Sequence, residues 1–319
     1  MRWPLIRNMP HHFSFDFVKL APFAAVLSGL LILASAGSLA IKHLNFGTDF
    51  QGGIKIDVSM SRPVPQIEVQ TDMGRMGAHD PHVQGFTDRT KAQLRFRPPE
   101  GSAAITAADS VKQQLLVKYP DMKFGSSEVI SAKVSGELFT KGMLALVGAV
   151  VLMLGYIWFR FQLQFGFGAV IAIIHDVFLT LGVLSVFQIE FSLVSVPALL
   201  TVIGYSMNEK VITFDRLREN LRKYKKTPLR DVINLSENER LSRTIITGTT
   251  ALLALAGMLF LGGPALFPMI LTMVVGIILG TYSSIYVALP VILLWGVRRN
   301  DEEAVPLKPM TRTQTFQQR

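Results

Sequence analysis

The residues of this chain best suited to chemistry stand where charge is expensive. His175 and Asp176 are adjacent within an otherwise apolar stretch, and Glu209 closes the run Gly204-Tyr205-Ser206-Met207-Asn208-Glu209 in another. Ser206, Glu209 and Thr213 fall at i, i+3 and i+7, one stripe of a helix. Arg243 opens a third apolar stretch, with Thr247 and Thr250 continuing its face at i+4 and i+7. An Asp at the middle of a membrane helix costs about 2.5–3.5 kcal/mol on insertion scales, so it usually faces a polar pathway or a partner. Apolar surroundings favour the protonated carboxyl, and a nearby guanidinium favours the ionised one. Such a pair takes up and releases a proton as its solvent access changes. A proton crossing about 100 mV is worth about 2.3 kcal/mol, enough to drive a conformational cycle.

Plainer readings stand beside this one. Asp176 also fits a structural bridge between helices, and Arg243 a snorkelling anchor at a membrane surface. Ser206 and Asn208 fit interhelical hydrogen-bond glue, and the Gly276/Gly280 pair fits close helix contact. His11, His12, His43, His79 and His82 are scattered among polar segments, with no metal-ligand spacing. There is no H-E-x-x-H motif, phosphate loop or G-x-S-x-G elbow, so an enzyme is not expected, nor a cofactor or a metal.

The elements that must position these residues are apolar spans. The chain has 319 residues, half of them hydrophobic and only 17% charged, and no cysteine, which excludes a disulfide scaffold or a thiolate site. Charge-free runs of 22, 18 and 54 residues lie between Lys19 and Lys42, Lys141 and Arg160, and Arg243 and Arg298. Runs this long match transmembrane helices of about 20 residues. Six are predicted, at about 20–41, 142–159, 165–186, 193–214, 244–261 and 269–296, with Gly262-Gly263-Pro264 and Pro268 splitting the longest run.

Lys and Arg number 3 in residues 1–19, 9 in a loop at 215–243 and 5 in the tail at 298–319, while the turns 188–192 and 262–268 have none. Both termini are therefore placed in the cytoplasm and residues 42–141 outside it. Basic residues flanking apolar spans explain the net charge of +9 without nucleic acid. Ala34-Ser35-Ala36-Gly37 has the look of a signal-peptidase site, but its apolar run is longer than a signal sequence and favours an anchor.

Residues 42–141 are enough for one small domain. Ile54, Ile56 and Val58 alternate with Lys55 and Asp57, a strand with one buried face. A helix is expected over 65–76, strands over 82–86 and 92–96, a helix carrying Ile105, Ala108, Val111, Leu115 and Leu116, and a last strand over 129–134. The order β-α-β-β-α-β is the ferredoxin-like pattern. The fold class is thus an all-α polytopic membrane protein of six spans with an α+β ferredoxin-like periplasmic domain between the first two. Residues 142–299 form the rest of the bundle, and 300–319 a disordered cytoplasmic tail.

These motifs, taken in order, resemble the SecF family, the smaller subunits of bacterial SecDF complexes in the resistance-nodulation-division superfamily. Asp49-Phe50-Gln51-Gly52-Gly53 is similar to the family's D-F-x-G-G. His175-Asp176, the run ending in Glu209, Phe214-Asp215-Arg216-Leu217-Arg218-Glu219 (the family's F-D-R-x-R-E) and Arg243-Thr244-Ile245 follow at matching places. The resemblance implies a partner, SecD, supplying six more helices. It implies association with the SecYEG channel and YajC, and use of the proton-motive force to complete export of unfolded preproteins begun by SecA. By the same carry-over Glu209 stands where the family often has Asp, and Arg243 at the matching basic position. Asp49, Gly52 and Gly53 are expected to shape the turn from membrane into strand. Asp176 and Glu209 are expected to leave an unfinished polar face that needs a partner. The alternative function is half of a proton-coupled lipid or drug exporter of the same superfamily.

Overall fold

The structure, a computed structural model, describes residues 14–86, 88–98, 103–161, 163–262 and 266–296. The expected tail at 300–319, His11, His12 and the Gly263-Pro264 turn lie outside these residues.

Long helices dominate. In chain order they are α1 (Phe17–Lys42), a single turn α2 (Thr48–Gln51), then α3 (Gln66–Arg75) and α4 (Ala104–Lys118) within the small domain, and α5 (Ala132–Arg160), α6 (Leu163–Val186), α7 (Ser195–Lys223), α8 (Leu229–Leu261), α9 (Phe267–Ser283) and α10 (Leu289–Trp295) in the bundle. A π turn, Ser284–Ala288, joins α9 to α10. Pro290 follows it; lacking an N–H, it leaves the Tyr286 carbonyl without its regular helical donor, a common reason for such a turn. Five helical stretches among the described residues are long and apolar enough to cross a membrane: 17–42, 133–160, 163–186, 229–261 and 267–295. The 29-residue α7 is too polar overall to join them on composition.

Two expected boundaries shift. The supposed loop at 215–243 is mostly helix: α7 runs on to Lys223 and α8 begins at Leu229, leaving only a short turn. Arg243 therefore lies inside α8 rather than at its start. Charged residues masked the continuation, because a helix that leaves the apolar layer no longer needs an apolar sequence. The N-terminal part of α8 also holds α1. Asp16 caps α1 by accepting from Lys19 N (3.0 Å), and it accepts from Asn234 Nδ2 (2.8 Å) and Arg230 (3.3 Å) as well. The Ala34–Gly37 segment continues as helix to Lys42, with Ser35 buried against Gly182 of α6.

The small domain is a four-stranded antiparallel sheet, β1 (Gly53–Ser59), β2 (His79–Gly85), β3 (Lys91–Arg97) and β4 (Lys123–Ile130), in the order β2-β3-β1-β4. Ile54, Ile56 and Val58 pair with Phe96, Leu94 and Ala92, so alternate residues of both strands enter one core. Val69 and Met73 of α3, with Ala108, Val111 and Leu115 of α4, close it. Ile105, expected on that face, is exposed. The last strand, expected at 129–134, runs over 123–130 instead. It is an edge strand exposed along most of its length, so it shows no apolar alternation. Ser131 ends it and caps α5 through Val134 N.

Within the bundle, small residues set helix separations. A Cβ on Gly276 of α9 would fall 2.2 Å from a Val202 methyl on α7, and one on Gly280 would fall 3.0 Å from Ser206. Gly257 of α8 has open space where its Cβ would be. We expect Gly276→Ala to destabilise the bundle by about 1–3 kcal/mol through overpacking against the stiff valine, and Gly257→Ala to be neutral or slightly stabilising. Thermal unfolding of the two variants in detergent checks this; equal melting temperatures would contradict it.

Candidate functional site

Because α9 approaches α7 so closely, three helices converge on Asp176. From α7, Lys210 Nζ reaches Asp176 Oδ2 at 3.0 Å, and Ser206 Oγ donates to the same oxygen at 2.5 Å. From the end of α9, Ser283 Oγ donates to it at 2.6 Å. Lys210 is also bound to Ser206 Oγ and to Ser283 Oγ (3.0 Å), so its three N–H groups all have acceptors. The ammonium is completely buried and Asp176 is 1% exposed. On the other side of the carboxylate, His175 Nδ1 lies 3.0 Å from Oδ1 and His175 Nε2 lies 3.1 Å from Ser28 Oγ of α1.

One helical turn along, a second cluster surrounds Glu209. Its partner is Arg240, whose Nη1 is 3.3 Å from Glu209 Oε2, with Thr244 Oγ1 donating to that oxygen at 3.1 Å. Arg240 also meets Glu237 at 2.7–2.9 Å and donates to Ser284 Oγ at 3.0 Å. Arg240, Thr244 and Gly248 lie four residues apart, the face α8 turns inward. Ser283 and Ser284, adjacent where the π turn begins, thus serve one cluster each.

The expected residues divide accordingly. Asp176, His175, Ser206, Glu209 and Thr213 are all buried. Arg243, one turn along α8 and about 60° round from Arg240, is exposed and is not the counter-ion of Glu209, which pairs with Arg240; Asn208 is exposed too. Thr247 and Thr250 bond only to backbone of their own helix. Asp176 and Glu209 do not leave an unfinished face, because both are satisfied within the chain; Asn208 and Arg243 are outward. Lys210, Glu237 and Arg240 were missed. The signals for them were Lys210 directly after Glu209 in an apolar stretch, and Glu237/Arg240/Thr244 at i, i+3 and i+7.

The Asp49–Gly53 run forms a joint. Asp49 accepts from Lys55 Nζ (2.5 Å) and from Leu193 N (3.1 Å), tying the turn after α1 to the segment between α6 and α7. Phe50 packs among Phe46, Phe139 and Phe191. Gly53, at φ +149°, would place a Cβ 2.8 Å from the Phe96 carbonyl, so no larger residue fits. Arg95 of β3 adds an ion pair to Glu190. Burial of Asp49 works against ionisation, but the Lys55 and Leu193 hydrogen bonds, with the Lys55 and Arg95 charges, outweigh it and hold the carboxyl below its ordinary range. At the other end of the bundle, Asp215 pairs with Arg160 (3.3 Å), Arg216 with Glu239 (2.8 Å) and Glu219 (2.6 Å), and Arg218 lies over the Phe161 ring. These residues of the F-D-R-x-R-E run brace α5, α7 and α8 against one another.

A multi-helix membrane bundle with two enclosed ion clusters, and a small α+β domain seated on one end, is the class this chain represents. Comparisons with known proteins make that specific. Residues 110–298 match the family described as Protein export membrane protein SecD/SecF, C-terminal, and residues 37–64 match the SecD/SecF GG Motif. Protein translocase subunit SecF of Rhodobacter capsulatus is 40% identical, the match covering 94% of this chain and 95% of the relative. That of Cereibacter sphaeroides is 41% identical, covering 92% and 93%, and that of Rickettsia rickettsii 34%, covering 94% and 98%. The crystal structure of SecDF, a translocon-associated membrane protein from Thermus thermophilus, superposes with a TM-score of 0.77 at 29% identity. It covers 92% of this chain, which spans only 40% of that longer one. A structure of SecDF in a super-membrane-facing form gives 0.65 at 30% identity, covering 89% of this chain and 39% of the other. The chain belongs to the SecD/SecF family of protein-export membrane proteins and is a multi-pass protein of the inner membrane.

Two predictions follow from this geometry. Lys210→Met leaves Asp176 Oδ2 buried without the ammonium that binds it and should cost about 3–5 kcal/mol; adding Asp176→Asn should recover much of the loss, as a double-mutant cycle on thermal stability would show. For Asp49 the lowered carboxyl means the joint's stabilisation is present above the unfolded-state value of about 3.9 and is lost as pH falls through the lower folded value. Protease cleavage near residues 43–53 should therefore rise on acidification below about pH 4 in the native chain, and Asp49→Asn should show it already at neutral pH.

Proposed function

We propose that this chain is the SecF half of a SecDF-type unit, which uses the proton-motive force to help complete Sec-dependent export of unfolded preproteins. The observation that carries the reading is the enclosed pair of clusters, Asp176–Lys210–His175 and Glu209–Arg240–Glu237, every member at most 6% exposed. Carboxylates held at the centre of a bundle by cations on neighbouring helices bind or lose a proton only if helices move, and this links proton passage to conformation.

The finer assignments belong to the same reading. The 29-residue α7 is the sixth crossing, its Glu209 and Lys210 tolerated because they face inward. The small domain is ferredoxin-like, given its β-α-β-β-α-β order and the strand order β2-β3-β1-β4. Basic residues around the turn between α7 and α8 put that end in the cytoplasm, together with both termini, and the small domain in the periplasm. Motion of that domain, hinged where the Asp49–Gly53 joint meets the bundle, would act on the emerging substrate. The outward Asn208 and Arg243 fit a polar-lined helix partner, SecD, since groups of that kind seek hydrogen bonds inside a membrane. The SecYEG channel and YajC complete the assembly, and protons are the coupled ion.

The test is export of a Sec-dependent preprotein in cells that also make SecD. Glu209→Gln and Asp176→Asn should assemble with the complex yet slow the late, proton-dependent phase of translocation at least several-fold. Arg243→Ala should weaken co-purification of SecD. Normal export rates with both carboxylate variants would overturn the coupling role. Normal export combined with altered sensitivity to apolar drugs would move the chain to the exporter reading.

A further inference from the structure

Hydrogen-bond direction around His175 decides its protonation state, and the charge inventory of the bundle agrees. The Tyr282 hydroxyl lies 2.7 Å from the Ala24 carbonyl, which only accepts, so the single hydroxyl proton of Tyr282 is spent there. The 2.9 Å contact between Tyr282 and Ser28 must then be donated by Ser28. With its own proton committed, Ser28 Oγ acts as acceptor toward His175 Nε2 at 3.1 Å, which requires a proton on Nε2. On the far side of the ring, Nδ1 faces Asp176 Oδ1 at 3.0 Å. Asp176 is the ionised acceptor for Lys210, Ser206 and Ser283 through its other oxygen, so this last contact needs a proton on Nδ1 as well.

The enclosed charges ask for the same proton. Three buried carboxyl groups, Asp176, Glu209 and Glu237, face two buried basic groups, Lys210 and Arg240. An uncompensated charge in such surroundings is strongly disfavoured. One further proton on the set balances it, and the hydrogen-bond directions place that proton on the ring. Among the described residues, His175 is the other buried titratable base in contact with the set. The groups around the ring are Asp176 on its own helix, Lys210 with Glu209 behind it on α7, Arg240 and Glu237 on α8, and Tyr282 and Tyr286 from α9 and the π turn. The α1 side contributes no charge, only Ser28. The Tyr282 ring stacks on the imidazole at 6.2 Å between centroids.

We propose that His175 is an imidazolium in this conformation and holds the proton of the bundle. Asp176 is its counter-ion, and Ser28 and Tyr282 form a directed hydrogen-bond chain on its other side. The Ser28–Tyr282 chain is a positioning device: it fixes which ring nitrogen donates toward α1. A helix movement that separates Ser28 from Tyr282 frees the Ser28 hydroxyl proton to donate to Nε2, and that nitrogen can then give up its own proton. This deepens the proton-coupling reading and rests on it for its functional meaning, whereas the protonation state itself stands whether or not export draws on protons.

The test is solid-state NMR of ring nitrogens in the full chain, labelled with 15N-histidine and co-purified with its membrane partner in lipid nanodiscs. The spectra are taken at about pH 8, where ordinary histidines with a pKa of about 6.5 are neutral. The signal absent from a His175→Asn sample is assigned to His175; should that variant fail to assemble, proximity to a labelled Tyr282 ring assigns it instead. We expect two protonated nitrogens for His175, and conversion to a neutral ring in Asp176→Asn, where the remaining carboxylates and cations balance. A wild-type His175 with one bare nitrogen would overturn the proposal, and a ring still charged in Asp176→Asn would overturn the assignment of its counter-ion. Loss of export in Glu209→Gln with a neutral His175 would sink this inference alone and leave the coupling reading in place.

Discussion

The bundle depends on one constraint: a charge enclosed among helices must be neutralised by a partner that the fold brings to it. Asp176 carries this constraint most heavily. Its two oxygens take four contacts, from α6, α7 and α9, and only one of these, from His175, comes from its own helix. Helix placement and charge placement are therefore one problem. Gly276 and Gly280 let α9 close on α7, and that approach brings Ser283 to Asp176. The π turn then sets Ser284 toward Arg240, so a local irregularity of the last span serves the second cluster. Removing any one of these groups leaves the others buried with an unmet polar atom, which costs more than the lost bond itself.

The small domain answers to a different constraint. Its core is an ordinary apolar sheet-and-helix contact, but its attachment to the bundle is polar and aromatic. Asp49 to Leu193, Arg95 to Glu190 and the four phenylalanines Phe46, Phe50, Phe139 and Phe191 form the contact. Ion pairs and ring edges at a partly wet boundary are weaker per contact than a fully packed core. Such a junction fixes the orientation of the domain with few contacts. The glycines at its base supply backbone angles that other residues avoid.

Membrane character was legible because apolar length is a local property. So were the alternating strand at 54–58, the helix face at Ala108, Val111 and Leu115, and the polar stripe Ser206, Glu209 and Thr213, each repeating at the period of its own element. The edge strand β4 was expected at 129–134 and misplaced, because it buries little on either face and shows no alternation. The N-terminal part of α8 escaped because its charged residues resembled a loop that sets topology. That misplaced boundary had a direct consequence: with α8 started at Thr244, Arg243 looked like the residue entering the bundle, and Arg240 and Glu237 looked like loop.

Membrane-crossing character, the presence of charges among apolar helices and the kinship of the motifs all follow from composition or order along the chain. Which charges meet does not. Arg240 and Arg243 are the same residue type three positions apart, and nothing local distinguishes them as partners for Glu209. The choice is made by the rotation of α8 about its axis, set by the packing of Gly248 and Leu255 against the neighbouring helices. The same holds for Lys210, whose ammonium is satisfied by a carboxylate 34 residues before it and a serine 73 residues after it. Long-range pairing of buried charges depends on distance in space, and no spacing along a chain encodes that.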